Sequence, residues 1–124
     1  MKKVTSTILA IVFGCVLVLS GCGSNNSKVS EGVNKMLDTT NQLSNAIDNG
    51  DQEKVKEVGP KLEDQWKTFE DDVKKDNKDL YNKIENYLDP TIAGSESSEL
   101  DKDALKTLND QLTSALKELA DKTK

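Results

Sequence analysis

No histidine and no arginine occur in this chain: all 17 basic residues are lysine, set against 22 aspartates and glutamates for a net charge of −5. The first absence removes the commonest general base and imidazole ligand. The second removes the planar fork that grips phosphate or carboxylate in two places. An acidic chain without clustered basic residues attracts neither DNA nor RNA, so no nucleic-acid partner is expected. Cysteine is confined to Cys15 and Cys22, aromatics make up 4% of the residues, and proline occurs only at positions 60 and 90. No stretch alternates with the period of a strand, and no glycine-rich phosphate loop is present. With the usual bases, nucleophile pairs and soft-metal ligands missing, enzymatic activity is not expected.

What is present begins with an export signal. Met1-Lys2-Lys3 leads into an apolar stretch from Ile8 to Leu19 that is broken only by Gly14, and small residues follow. The stretch is about a dozen residues long, whereas a permanent membrane span needs roughly 20. Its end, Leu19-Ser20-Gly21-Cys22, resembles a lipobox, the signal at which a bacterial prolipoprotein is acylated on cysteine sulfur and cut just before that cysteine. The resemblance implies that residues 1–21 are a cleaved lipoprotein signal peptide. Cys22 then opens the mature chain and carries a diacylglyceryl group. The alternative is a plain secretory peptide or transmembrane anchor. Cys15 leaves with the leader, so no thiol remains for a disulfide, a metal or catalysis. One acyl chain holds a protein only marginally and two hold it well, at roughly 0.8 kcal/mol per buried methylene. The expected location is the extracytoplasmic face of the cell membrane. The lysine-only basic composition leans toward a Gram-positive envelope.

Behind Cys22, residues 23–27 (Gly-Ser-Asn-Asn-Ser) read as a flexible tether, completing a lipidated segment 22–27. The remainder, 28–124, reads as one helical domain. Val29, Val33, Met36, Leu43 and Ile47 share one helical face, and Asn49-Gly50 supplies a left-handed stop. Asp51 caps a second helix with the stripe Val55, Val58, Leu62, Trp66, Phe69 and Val73. Gly59-Pro60 should kink it without breaking it. Leu80, Ile84 and Tyr87 continue the pattern. A break at Asp76-Asn77 is favoured over one long rod, with the third helix ending before Asp89-Pro90. Gly94–Ser98 reads as a loop. Ser98 or Asp101 then caps a last helix carrying Leu105, Leu108, Leu112, Leu116 and Leu119. Short amphipathic helices are marginal alone, so the stripes must meet. The expected fold is all-α, a small antiparallel bundle of three to four helices, with a coiled-coil dimer as its rival.

Carboxylates crowd the second half of the second helix, and Glu63 and Glu70 lie on one side of it, beside the stripe that contains Trp66. Oxygen-only groups suit hard cations such as ferric iron, calcium or magnesium. The same acids are interleaved with Lys61, Lys67, Lys74 and Lys75, and also read as a solvated face with weak i,i+4 pairs.

Trp66-Lys67-Thr68-Phe69-Glu70, then Val73, then Tyr81-Asn82-Lys83-Ile84-Glu85 resembles a pattern in the extracytoplasmic helical domain attached to bacterial high-affinity iron permeases. The similarity runs from about Leu43 to Leu88. It implies an accessory of iron uptake, with Glu70 and Glu85 as the positions facing iron, Glu63 beside them, and a membrane permease or its oxidase system as partner. Trp66, Phe69, Tyr81 and Ile84 read as core rather than ligands. The chain lacks both the Arg-Glu-x-x-Glu ligands of those permeases and the His-x-x-Glu motif of the related imelysin-type lipoproteins. The alternative is a non-catalytic helical interaction or structural module of the cell envelope, with no metal role.

Overall fold

A computed structural model describes residues 23–124. The expected leader 1–21, with Cys15, and the expected acylation site Cys22 lie outside the described residues. Six helical segments follow one another: α1 (Gly23–Asp48), α2 (Gln52–Val58), α3 (Lys61–Lys67), α4 (Glu70–Asp76), α5 (Lys78–Ser95) and α6 (Lys102–Lys122). Among the described residues there is no strand. The segments form four arms, because α2, α3 and α4 run one after another as a single articulated rod. Each arm reverses on the one before it. The ring closes through α1 against α6, α6 against α5, and α5 against the rod. The fold is the expected all-α antiparallel bundle.

Local signals set the arms. Gly50 adopts φ +66 after Asn49, a conformation glycine reaches without steric cost. The Asp51 side chain accepts from Lys54 N at 3.1 Å, Asn77 from Leu80 N at 3.2 Å, and Asp101 from Ala104 N at 3.1 Å. Each cap satisfies a first-turn N–H that the helix itself cannot. The rod and α5 are therefore separate at Asn77, as the turn residues there suggest.

Gly59 and Pro60 both stay right-handed helical, and Leu62 N bonds Gly59 O at 3.1 Å in a tightened turn. The expected kink is present. A second articulation, not legible in the sequence, falls at Phe69, whose φ of −141 and ψ of 1 leave the helical region between α3 and α4.

Four expected boundaries are corrected. Residues 23–27 are helical rather than a tether, and α1 starts at Gly23 instead of Lys28. Once Val29 and Val33 are buried and Lys28 pairs with Asp72 at 3.4 Å, extending the helix backward costs no new nucleation. The helix α5 does not end before Asp89-Pro90 but continues to Ser95. Leu88, Thr91, Ile92 and Ser95 are all buried there, and Thr91 Oγ1 donates to Tyr87 O at 2.6 Å. The carbonyl that loses its bond to Pro90 belongs to Asn86, which is exposed and open to water. The loop begins at Glu96 rather than Gly94, and it is Asp101, not Ser98, that caps α6. Gly94 sits within the helix, where a side chain would press on Leu105. In α6, Leu108 is only half-buried, and Asn109 takes the central position at 1% exposure.

The core runs the length of the bundle, with Trp66, Phe69, Met36, Leu43 and Ile47 among its largest members. Two contacts decide how closely the arms approach. Gly32 of α1 lies against the Phe69 ring, and Gly59 against Ser95, with no room for a methyl group at either glycine. Across α1 and α6, Asn109 Nδ2 donates to Thr40 O at 2.9 Å, while its Oδ1 has no protein partner. This single buried amide fixes the register of those two helices at the cost of an unmet acceptor.

Gly32→Ala should lower stability by about 1–3 kcal/mol, the usual cost of forcing extra volume into a packed core. Thermal or urea unfolding monitored by circular dichroism would measure it. Combined with Phe69→Leu, the loss should be smaller than the sum of the two single losses, because both changes act on one contact.

Candidate functional site

Trp66 is 2% exposed on α3, and its indole N–H needs an acceptor inside the bundle. Glu85 of α5 supplies it, with Oε1 accepting the bond. One helical turn before Glu85, Tyr81 stacks on the indole at 5.8 Å between ring centroids and 24° between planes. Phe69 meets the indole edge-on at 5.2 Å and 84°. The Lys74 ammonium lies 5.1 Å over the Tyr81 ring. Ile84 is fully buried beside this group. Trp66, Phe69 and Ile84 are therefore core residues, and Tyr81 is half-buried against the core.

The break at Phe69 places Glu70 as the first residue of α4, next to this aromatic group. Glu70 is half-buried. Burial, first, and the nearby Glu85 and Asp71 charges, second, raise its carboxyl above the ordinary value, against the opposing pull of Lys67 and Lys74. Burial likewise raises the Tyr81 hydroxyl, helped by Glu85, Glu70, Asp71 and Asp89. The phenol thus keeps its proton. Glu70 and Glu85, 15 residues apart in the sequence and in separate arms, are brought near one another by the α4–α5 packing.

Glu63 lies elsewhere in function. Its side chain is half in solvent and pairs with Lys67 at 2.7 Å, a surface i,i+4 bridge. Among the described residues no three acids, histidines or cysteines converge into a group that would enclose a metal ion. What the geometry offers is a pair of oxygen donors, Glu70 and Glu85, mutually repelling at the edge of an aromatic wall. The sequence singled out Trp66 and Glu85 separately; their bond depends on how α3 and α5 face each other. Gly32 was missed as the seat of Phe69, although a lone glycine within a helical pattern is a signal of a packing role.

The chain matches no protein-family profile and no solved structure. It is similar to the "Iron uptake system component EfeM" of Bacillus subtilis (strain 168), at 27% identity over 135 aligned positions. The alignment covers 95% of this chain but 35% of that relative, so the chain spans about a third of its length. This similarity supports a relation to the accessory components of iron uptake.

The raised carboxyl has a consequence for stability. Folding favours the protonated form of Glu70, so its contribution is fully present below the ordinary value of 4.5 and is lost as pH rises through the folded value. Glu70→Gln should therefore melt above the parent at neutral pH. The gap should close below about pH 4, where both side chains are neutral. A melting series across pH checks both the sign and the window.

Proposed function

We propose that this protein is a non-catalytic, lipid-anchored lipoprotein on the extracytoplasmic face of a Gram-positive membrane. There it serves an iron-uptake system by holding ferric iron, or a similar hard cation, weakly through Glu70 and Glu85. The observation that carries the reading is the convergence of these two carboxylates from different arms, in a chain similar along 95% of its length to an iron-uptake component. Burial and the Glu85 charge raise the Glu70 carboxyl, and a cation beside the two acids offsets that cost. The oxygen-only donor set, the absence of histidine and the lack of any cysteine after Cys22 fit a hard ion rather than zinc or copper. Two carboxylates make a weak, open site, which suits handing an ion on better than storing it. The partner in this reading is a membrane permease or its oxidase system, and the anchor is the diacylglyceryl group on Cys22.

Trp66 is the only tryptophan of the chain, and its indole is bonded to Glu85. Its emission therefore reports on the proposed site directly. Titration with ferric citrate should quench Trp66 fluorescence along a saturable curve, and Glu70→Gln combined with Glu85→Gln should flatten that curve without unfolding the bundle. Unsaturable quenching, or quenching unchanged in the double variant, removes the metal role and leaves a helical interaction module of the envelope. Separately, Cys22→Ala should abolish palmitate incorporation and release the protein from the membrane fraction.

A further inference from the structure

We propose that Asn49-Gly50, at the corner between α1 and α2, is a self-modification site: the chain cyclises on itself there, and water then converts Asn49 into a mixture of aspartate and iso-aspartate that loosens the corner. The reaction needs neither a bound cation nor the lipid anchor. Of the asparagines in this chain only Asn49 is followed by glycine. Both residues are exposed, so the Asn49 carboxamide is free to swing over the next peptide and water reaches it. Gly50 has no Cβ to obstruct that approach, and its φ of +66 is what reserves the position for glycine. Other exposed asparagines are followed by residues with side chains, Asn45 by Ala46 and Asn86 by Tyr87 among them.

The Gly50 amide nitrogen, once it has given its proton to hydroxide, attacks Cγ of Asn49. The new N–Cγ bond closes a five-membered succinimide; the Cγ–Nδ2 bond breaks, and Nδ2 takes up a proton and leaves as ammonia. Water then opens the ring. Opening at Cγ leaves ordinary aspartate at position 49, whereas opening at the main-chain carbonyl sends the backbone through the side chain as iso-aspartate. The net change is one water consumed and one ammonia released. Cyclisation builds negative charge first on the nitrogen and then on the Cγ oxygen, and Lys102 is placed to stabilise it. Its ammonium bonds Asp48 O at 3.2 Å and lies 3.9 Å from where a Gly50 Cβ would stand. A cation that close favours the deprotonated amide and the oxyanion that follows. In the resting turn Gly50 N donates to Ile47 O at 3.0 Å, so attack waits for the last turn of α1 to open. Helix ends open at little cost in free energy.

An added backbone atom matters at this corner. The end of α1 is closed by two bonds, Gly50 N to Ile47 O and Asp51 N to Ala46 O, both at 3.0 Å, the paired pattern of a helix that stops on glycine. Gln52 Nε2 donates to Ser98 O at 2.6 Å, which ties the same corner to the loop before α6, and Lys106 pairs with Asp48 at 2.9 Å. Iso-aspartate inserts a methylene into the backbone inside both of the closing rings, so neither bond keeps its geometry. Either product also sets a new carboxylate between Asp48 and Asp51, both exposed acids.

The purified protein, kept in buffer for weeks at growth temperature, tests this by peptide mapping in a mass spectrometer. The peptide carrying Asn49 should gain one mass unit, with iso-aspartate, read by labelling with an isoaspartyl methyltransferase, as the larger share. The rate should rise with pH, because hydroxide removes the amide proton, and should exceed the rates at Asn45 and Asn86 many-fold. Lys102→Gln should slow it several-fold and Lys102→Arg should restore most of it. Lys106→Gln frees the Asp48 carboxylate without touching Lys102, and should leave the rate near that of the parent. Followed by circular dichroism, the aged protein should melt lower than fresh protein and lower than Asn49→Asp, while Asn49→Gln should melt the same before and after ageing. An Asn49 that stays intact, or changes no faster than Asn45, overturns the site. A parental rate in Lys102→Gln overturns the part assigned to Lys102, and aged protein that melts with the fresh overturns the loosening of the corner.

Discussion

A buried indole N–H must be given an acceptor, and in this bundle the acceptor is a carboxylate from another arm. Much of the structure is arranged around that bond. It ties α3 to α5 across the core, and it sets α5 at the rotation that stacks Tyr81 on the same indole. Phe69 closes the other edge of the indole, and the rod leaves the helical region at that residue so that the ring can turn inward. The ring is admitted only because α1 presents Gly32 there. Three of the four arms thus meet through one aromatic group, which explains how a chain with 4% aromatics builds a defined core.

The same arrangement makes the chemistry. Glu85 cannot retreat into solvent while it accepts from Trp66, and Glu70 is held beside it by the first turn of α4. A half-buried acid facing another acid is unfavourable in isolation, and such arrangements are where ligands act. The neighbourhood contains no thiol or imidazole. Two carboxylate oxygens beside an aromatic wall are what it offers a partner or ligand.

Much of the architecture could be read from side-chain spacing. The apolar stripes at intervals of three and four, the Asn49-Gly50 turn and the caps Asp51, Asn77 and Asp101 all act within a few residues of chain, so their consequences are local. Readings failed where a local preference met a distant contact. Pro90 disfavours a helix, yet burial of Leu88, Thr91, Ile92 and Ser95 in the bundle outweighs the one bond it removes, and that loss faces water. Residues 23–27 have the composition of a spacer, yet they extend a helix that Val29 and Val33 have already nucleated. Leu108 fits the leucine stripe, yet α6 is rotated so that Asn109 can reach Thr40.

The amino-acid sequence by itself determined the all-α class and the antiparallel order of three to four helices, because periodicity and caps are properties of neighbouring residues. It also nominated Glu70, Glu85 and Trp66 as individuals. Only the tertiary structure decided that Glu85 belongs to Trp66, and that Glu70 stands beside them while Glu63 pairs with Lys67. Those relations join residues far apart along the chain, and they exist only once helix packing has fixed which faces meet.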